Sequence, residues 1–381
     1  MKKALILTSV ASMIEQFNMN NIRELQNLEY EVTVATNFLE PGNIPLEKSL
    51  KLQDLFKKKN VKVINLEFSR APLNSNNLKV YKRIKKLLKN GDYDLIHCQS
   101  PIGGVLTRLA VANSRRKLGH IVYTAHGFHF FKGAALINWF IYYPIERYLA
   151  KYTDTLITIN KEDYKRAMHF NSGKILYIPG IGVDLEKIRS VAVNKIEKKI
   201  GLGLPESSFI ILSVGEVNKN KNHEVIIRAL ANLMNDNIHY VICGKGPLEN
   251  KLMKLSQELK VSKKIHFLGF RDDVQEIYKI ADVFAFPSKR EGLGIAAIEA
   301  MASGLPILTS NVHGINDYSI NGSTGYSYDP KDTDGFANGI SRLYSDYHIR
   351  EFMGKNNKKI VEKFSSNNVN KVMREIYKQS I

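Results

Sequence analysis

Glu291-Gly-Leu-Gly-Ile-Ala-Ala-Ile-Glu299, followed directly by Ala-Met-Ala-Ser-Gly-Leu-Pro306, sets two carboxylates eight positions apart across a glycine break. Ile295 to Ala302 predicts a short helix: Gly294 opens it, Gly304 stands where a left-handed C-terminal cap falls, and Pro306 blocks continuation. The start of such a helix directs backbone N–H groups outward over Gly292, Leu293, Gly294 and Ile295, which suits a diphosphate. Glu299, more than one turn in, is placed for the paired hydroxyls of a ribose. Glu291, in the loop, is left for a sugar bound beyond the phosphates. Two carboxylates at this spacing are also found as a solvated loop charge and a helix-face charge, so the surrounding segments decide.

Outward from this stretch, short apolar, mostly β-branched runs alternate with helical segments along the chain. Lys3 to Ser9, Glu31 to Thr36, Lys62 to Leu66, Leu95 to Cys98, His120 to Thr124 and Thr155 to Ile159 predict strands. Met19 to Leu28, Leu78 to Lys89 and Gly103 to Leu118 predict helices among them. The pattern restarts with strands at Phe209 to Val214, His239 to Cys243, Ile265 to Leu268, Val283 to Phe286 and Pro306 to Thr309. Helices around His223 to Met234, Pro247 to Leu259, Val274 to Ile280 and Ile295 to Ala302 separate these. Such alternation implies parallel, doubly wound α/β sheets. The restart implies two of them, joined at the turn-rich Ile178-Pro-Gly-Ile-Gly-Val-Asp184 after the sixth strand. A chain of 381 residues also exceeds one ordinary core.

Composition narrows the function classes. The hydrophobic fraction is 44%, no low-complexity tract or solenoid repeat is present, and no apolar run is long enough to cross a bilayer. Met-Lys-Lys and Ala4 to Val10 form only a short apolar start without a cleavage site, so it reads as a first strand rather than a secretory signal. Cys98 and Cys243 end strand-like runs without a C-x-x-C partner and read as buried thiols of a reducing cytosol. Asp92-Tyr-Asp94 has the spacing of a metal-binding motif but precedes a strand and reads as a turn. With no His/Cys/Asp cluster elsewhere, no metal or other cofactor is expected. The turn after the first strand, Thr8 to Phe17, contains no glycine, and Gly244-Lys-Gly246 lacks a third. The dinucleotide fingerprint is therefore absent, as is a Walker A sequence.

The net charge of +18 calls for an acidic partner. Residues 1–181 hold 27 Lys/Arg against 14 Asp/Glu, a balance of +13, while the remainder, with 28 against 23, is only +5. The excess lies in Lys57-Lys58-Lys59, in Lys79 to Lys89 and in Arg115-Arg116-Lys117. On a helix Val80, Ile84, Leu87 and Leu88 share one face, ringed by Lys79, Lys82, Arg83, Lys86 and Lys89. That is the pattern of a basic amphipathic helix at an anionic membrane surface. It is also that of a surface helix packing its apolar stripe on a sheet, and the two are compatible. No nucleic acid partner is expected, because no binding module or interleaved aromatic–basic motif accompanies the charge.

Further segments frame the two carboxylates. Val214-Gly-Glu-Val-Asn-Lys-Asn-Lys-Asn-His223 follows the first strand of the second series, and Cys243-Gly-Lys-Gly-Pro-Leu-Glu249 its second. Leu268-Gly-Phe-Arg-Asp-Asp273 follows the third, and Asp282-Val-Phe-Ala-Phe-Pro-Ser288 leads into Glu291. Together these resemble the retaining family 4 glycosyltransferases, most strongly from Ser213 to Asp329. The resemblance implies the GT-B fold, two Rossmann-like doubly wound parallel-sheet domains facing across a cleft. Residues 1–181 would bind acceptor and 182–363 the nucleotide sugar, with a C-terminal helix, about 364–381, packing back on the first domain. It assigns Lys221, helped by Lys219, to the donor diphosphate, and Gly244 to a turn beside the nucleotide. Phe270 and Arg271 become candidate neighbours of the base, although ordinary loop packing fits them equally. Gly314 and Asn316 either face the cleft or shape a turn. Glu216 stands where most members carry arginine. A carboxylate there repels a diphosphate, so either Lys219 takes over charge or Glu216 points away.

In the N-terminal half, Tyr123-Thr-Ala-His-Gly-Phe-His-Phe-Phe131 puts His126 just past a strand end, the position of the family's donor-sugar histidine. His129 is an acceptor-side candidate. Trp139, Phe140, Tyr142 and Tyr143 form either an apolar acceptor groove or a core helix. The resemblance thus implies a retaining hexosyltransferase with His126 and Glu291 at the reacting sugar. Its donor would be UDP-linked, for example UDP-N-acetylglucosamine, and its acceptor a polyprenyl-diphosphate-linked saccharide of exopolysaccharide or capsule biosynthesis. Its place would be the cytoplasmic face of the membrane, where other polysaccharide-synthesis proteins are further partners. Two alternatives stay open: a non-catalytic assembly subunit, for which Glu216 speaks, and a GT-B nucleotide-sugar epimerase, against which the full E-x7-E segment speaks.

Overall fold

β1 (Lys2–Leu7) is buried from Ala4 onward and has a parallel neighbour on each side, so it is a continuous apolar run. The computed structural model describes all residues except Arg70, Pro72, Leu73, Ser100, Arg116, Lys117 and Ile381. The Arg116-Lys117 part of the third basic run therefore lies outside the described residues. After β1 come α1 (Ala11–Phe17), α2 (Met19–Asn27), β2 (Tyr30–Thr36), α3 (Leu46–Lys58) and β3 (Lys62–Asn65). Then follow α4 (Ser75–Gly91), β4 (Leu95–Gln99), α5 (Pro101–Ala112), β5 (His120–Ala125), α6 (Leu136–Ala150), β6 (Thr155–Thr158), α7 (Lys161–Ala167) and β7 (Lys174–Tyr177).

These strands form one parallel sheet ordered β3-β2-β1-β4-β5-β6-β7. The order reverses at β1, which sends α1 to α3 to one face and α4 to α6 to the other. Alternate residues of β1 serve the two cores: Ala4 and Ile6 meet Ile14, Leu25 and Phe56, while Leu5 and Leu7 join Val80, Ile84, Ala110 and Ala150.

A second sheet follows, entered by α8 (Leu185–Arg189) and α9 (Lys195–Gly201). It is built from β8 (Phe209–Val214), α10 (His223–Leu233), β9 (Ile238–Cys243), α11 (Glu249–Glu258), β10 (Ile265–Gly269) and α12 (Val274–Ile280). β11 (Val283–Phe286), α13 (Ile295–Ala302), β12 (Ile307–Ser310), β13 (Gly325–Tyr328), α14 (Thr333–Ser345) and α15 (Tyr347–Ile360) complete it. Its order, β10-β9-β8-β11-β12-β13, is again all parallel. The last helix, α16 (Ser366–Gln379), returns to the first sheet: Val369, Met373, Ile376 and Tyr377 join the core under α1 to α3, and Arg374 pairs with Glu24 at 2.6 Å. The compact units are accordingly Met1–Gly182 with Ser366–Ile381, and Val183–Ser365.

Three expectations are corrected. β7 and β13 are strands beyond those predicted, so the link at residues 178–184 follows the seventh strand. α5 stops at Ala112, because Asn113 turns its amide back onto the Leu109 carbonyl at 2.9 Å and the chain leaves the helix. α4 is longer than predicted, starting at an Asn74 side chain that caps Asn76 N–H and ending at left-handed Asp92.

Candidate active site

In the second unit, fully buried β11 delivers the loop that carries Glu291. Gly294 begins α13 at φ +90°, where a Cβ would stand 2.4 Å from the Phe286 ring, so both conformation and space require glycine. Gly304, at φ +87°, follows the last turn, and Leu305 N–H closes onto Ala300 C=O at 3.1 Å. Ala297, Ile298, Ala300, Met301 and Ala302 bury the helix and leave Glu299 on its half-buried side. The Tyr278 hydroxyl lies 3.1 Å from both Glu299 Oε2 and the Ala296 carbonyl. Burial raises the Glu299 pKa, opposed by the Tyr278 hydrogen bond and the Lys187 charge.

Lys221 Nζ lies 2.6 Å from Glu291 Oε2, with each side chain about one-fifth exposed (20% and 19%). The ammonium is also 4.5 Å from the Phe286 ring centre, and its stem runs past Gly215, where a Cβ would be 3.3 Å from Lys221 Cε. The asparagines of the Asn-Lys-Asn-Lys-Asn run build this arrangement. Asn218 Oδ1 accepts from the N–H groups of Asn220 and Lys221, Asn220 donates to Arg290 C=O at 2.9 Å, and Asn222 donates to Pro287 C=O at 3.0 Å. The lysine loop is thereby stitched to the glutamate loop. Lys219 and Glu216 are exposed, and Glu216 pairs with no cation among the described residues.

Gly244 donates its N–H to Gly269 C=O at 2.7 Å, and a Cβ on it would lie 1.8 Å from the Gly215 carbonyl. Three strand ends thus converge where side chains do not fit. Beyond them Phe270 is exposed (59%). Arg271 is engaged by Asp273 through two bonds of 2.7 and 2.5 Å, and Lys198 reaches the same carboxylate at 2.5 Å. The Arg271 bonds and Lys198 hold the Asp273 carboxyl well below the usual range.

The first unit carries His126 at the end of β5, before Gly127 at φ +120°. Its ring stacks on Phe17, and its Nε2 is 2.7 Å from Gln99 Oε1. An amide oxygen only accepts, so Nε2 carries the proton and Nδ1 is the acceptor. Gln99 Nε2 continues to Asn18 Oδ1 at 2.5 Å and to His97 Nε2 at 3.2 Å. His97 meets Thr124 at 2.8 Å and the Tyr377 hydroxyl at 2.9 Å. Burial pushes the pKa of His126 down to about 4 and that of His97 to about 3, leaving both neutral. His129 stacks on Tyr142, with 4.5 Å between ring centres. Trp139, Tyr142 and Tyr143 are half-buried against the core, whereas Phe140 is 77% exposed. On α4, Val80, Ile84 and Leu88 are buried, Leu87 is half-buried, and the basic residues are exposed.

Tyr278 and Tyr318 escape sequence reading, and the alternative left open for Gly314 and Asn316 is resolved for Gly314 as a turn former. Tyr278 holds Glu299. Gly314 donates its N–H to Glu291 C=O at 3.0 Å, and a Cβ on it would lie 1.9 Å from the Gly292 carbonyl, so it shapes the glutamate loop directly. Asn316 is exposed. The buried Tyr318 hydroxyl, near Gly294, has no partner among the described residues. Only His97 and Gln99 leave a trace in the sequence: polar residues two apart in a buried strand share one face. Cys98 and Cys243 are buried free thiols, each raised to about 12 by burial. Among the described residues there is no group of three or more His, Cys, Asp or Glu that could hold a metal ion, and no helix long and apolar enough to cross a membrane.

Residues 194–360 match the family model "Glycosyl transferases group 1", and residues 5–160 match "Glycosyl transferase 4-like". A protein of Bacillus subtilis (strain 168) named "Putative glycosyltransferase EpsD" is 34% identical over 381 residues, 99% of this chain and 96% of its own length. The UDP-Gal:alpha-D-GlcNAc-diphosphoundecaprenol alpha-1,3-galactosyltransferase of Escherichia coli is 34% identical over 291 residues, 74% of each chain. Among solved structures, Anabaena Alr3699/HepE in complex with UDP and glucose shares the fold, with a TM-score of 0.77 over 100% of both chains at 18% identity.

Proposed function

As the chain belongs to the group 1, 4-like glycosyltransferases, we propose that it moves a hexose or N-acetylhexosamine from a UDP-linked sugar, such as UDP-N-acetylglucosamine, to a polyprenyl-diphosphate-linked saccharide. The transfer keeps the anomeric configuration and serves exopolysaccharide or capsule synthesis. The observation that carries this reading is the pair Glu291 and Glu299 flanking the start of α13, with Lys221 drawn onto Glu291 at 2.6 Å. One short segment thus offers a cation, first-turn N–H groups and two carboxylates, matching a diphosphate between a sugar and a ribose.

In this scheme Lys221 and the N–H groups from Gly292 to Ile295 stabilise the departing diphosphate as its charge develops. Glu299, oriented by Tyr278, takes the ribose hydroxyls, and Glu291 holds the sugar. Gly244 lets the nucleotide approach the backbone, Phe270 offers a ring to the base, and Lys219 adds charge at the rim. Neutral His126, fixed by Gln99, presents a hydrogen-bonding nitrogen to the sugar without adding charge. No metal step is needed in the scheme, because the positive field comes from Lys221 and the helix.

The donor and acceptor classes take support from the Escherichia coli relative, whose name gives a UDP-sugar and a diphosphoundecaprenol-linked acceptor. A lipid-linked acceptor places the work at the cytoplasmic face of the membrane, where the exposed lysines of α4 meet anionic headgroups. Exposed Glu216 favours a second reading, a non-catalytic assembly subunit.

Calorimetric titration with UDP and with GDP tests the proposal. Selective UDP binding is expected, followed by turnover of UDP-sugars on lipid-linked acceptors and retention seen by NMR of the product. Binding of neither nucleotide by the wild type, regained in Glu216→Arg, would sink the transferase reading and favour the assembly subunit.

A further inference from the structure

α13 opens the candidate donor site with its first turn, and its other end reaches a second cavity. All strands of the second sheet are parallel, so β11 and β12 begin on the edge opposite the loop that carries Glu291. At that edge Ser303 and Gly304, just past α13, line a cavity of about 430 Å³ together with Lys195, Lys279, Arg350 and Lys358.

Four cations around one space call for an anion. Burial, and then the charges of Lys358 and Lys195, hold the Lys279 ammonium below its ordinary value, so the three lysines lie near enough to repel. None of the three forms an ion pair among the described residues, and Lys279 reaches only the Arg189 carbonyl, at 3.4 Å. The stem of Lys358 runs over Gly304, where a Cβ would stand 2.7 Å from its Cε. The two carboxylates at the cavity are already engaged: Asp282 accepts from Ile210 N–H at 2.8 Å, and Glu351 pairs with Lys355 at 2.8 Å. Arg350 donates to the Leu343 and Tyr344 carbonyls. Ser303 Oγ is buried and has no hydrogen-bond partner among the described residues. Three unpaired ammonium groups and an unsatisfied hydroxyl form a donor set for phosphate oxygens, because each lysine offers three donors on a compact charge. Val193, Leu305 and the Tyr347 ring add an apolar wall for an organic body.

We propose that this cavity binds a small phosphate-bearing anion and is an effector site on the donor unit, separate from Lys221. The link between the two sites is short. Tyr278 forms part of the cavity wall while its hydroxyl holds Glu299, and α13, eight residues and about 12 Å long, runs from one site to the other. An occupant therefore steadies the side chain assigned to the ribose. The site stands apart from the donor reading, and only its control of UDP binding rests on it.

The test is calorimetric titration of the full chain with inorganic pyrophosphate and, separately, with ribose 5-phosphate, under saturating UDP so that the donor site is filled. Binding of at least one probe is expected, and the tighter one shows whether the cavity prefers a bare diphosphate or an organic phosphate. Lys195→Gln with Lys358→Gln, both exposed, is expected to weaken that binding about tenfold or more, and Lys279→Met, which keeps the apolar stem, by a similar factor. Unchanged circular dichroism and melting confirm that these variants fold. UDP is expected to bind about fivefold more tightly in the presence of ribose 5-phosphate, a gain absent from the lysine variants. Binding of neither probe to the UDP-saturated protein, or binding that both lysine variants leave unchanged, would overturn the site. UDP affinity that ignores a bound probe would overturn the control. If UDP itself does not bind, pyrophosphate binding that survives Lys221→Met but not Lys279→Met upholds the cavity while the donor reading fails.

Discussion

Glu291→Gln is expected to tighten UDP binding while destroying transfer. In the free protein Lys221 Nζ sits 2.6 Å from Glu291 Oε2, with both side chains about one-fifth exposed. At an effective dielectric of about 20 the gross attraction is roughly 6 kcal/mol. Desolvation, screening and side-chain entropy reduce this to roughly 1–2 kcal/mol net for a half-buried pair. An entering diphosphate must draw the ammonium away and also meets the Glu291 charge. Glutamine keeps the shape and removes both obstacles, so UDP affinity should rise about five- to thirtyfold. The assay is calorimetric titration at low and high salt, where the gain should shrink as screening weakens the pair it relieves. Lys221→Met should move affinity in the opposite direction. Unchanged or weaker UDP binding in Glu291→Gln, alongside weaker binding in Lys221→Met, would show that the two groups do not compete and would refute the reasoning.

Other outcomes follow from neighbouring geometry. Gly314→Ala places a methyl 1.9 Å from the Gly292 carbonyl, which only a backbone shift relieves; UDP affinity should fall about tenfold or more with unchanged circular dichroism. His97 and His126, at about 3 and about 4, lie below their unfolded value near 6.5, so the unfolded chain binds protons first. The stability they contribute is present above that value and lost as pH falls through about 4. Melting curves across this range should show it, and a flat profile would contradict it. Arg108→Ala leaves Glu146 buried without its cation and should destabilise by about 3–5 kcal/mol, whereas Arg108→Met with Glu146→Leu should recover most of that in denaturant titration. No recovery in the double variant would refute the ion-pair account.

What the sequence revealed follows from how local each signal is. β8, β11, α12 and α13 fall on the predicted residues: the central strands are apolar but for Ser213, and glycines beside a proline bound α13. β7 and β13 are four-residue edge strands beside turn-rich segments, too short for run or alternation to separate strand from loop; β3, an edge strand of the same length, was found because its apolar run continues through Leu66. The carboxylate pair was legible since both members lie on one segment. Lys221 with Glu291, seventy positions apart, and Arg108 with Glu146, thirty-eight apart, meet only through the fold. The orientation of α6 was hidden for a different reason. Both of its sides are apolar, so no periodicity separates Trp139, turned inward, from Phe140, turned out.

The return of α16 to the first sheet has a consequence for biosynthesis. Tyr377, whose hydroxyl meets His97, lies 280 positions downstream of it, and Val369, Met373 and Ile376 fill the core beneath α1 and α2. The first unit therefore emerges from the ribosome with a gap that its own upstream sequence does not close. At about 5–20 residues per second, roughly 10–40 s of elongation separate the end of its main segment from the arrival of its final helix. That interval is the synthesis of the second unit, which is contiguous in sequence and can fold as soon as it is made, while the first still waits for α16. Vectorial synthesis thus inverts the order in which the two halves mature, and the half made first is the one exposed longer to chaperones and proteases.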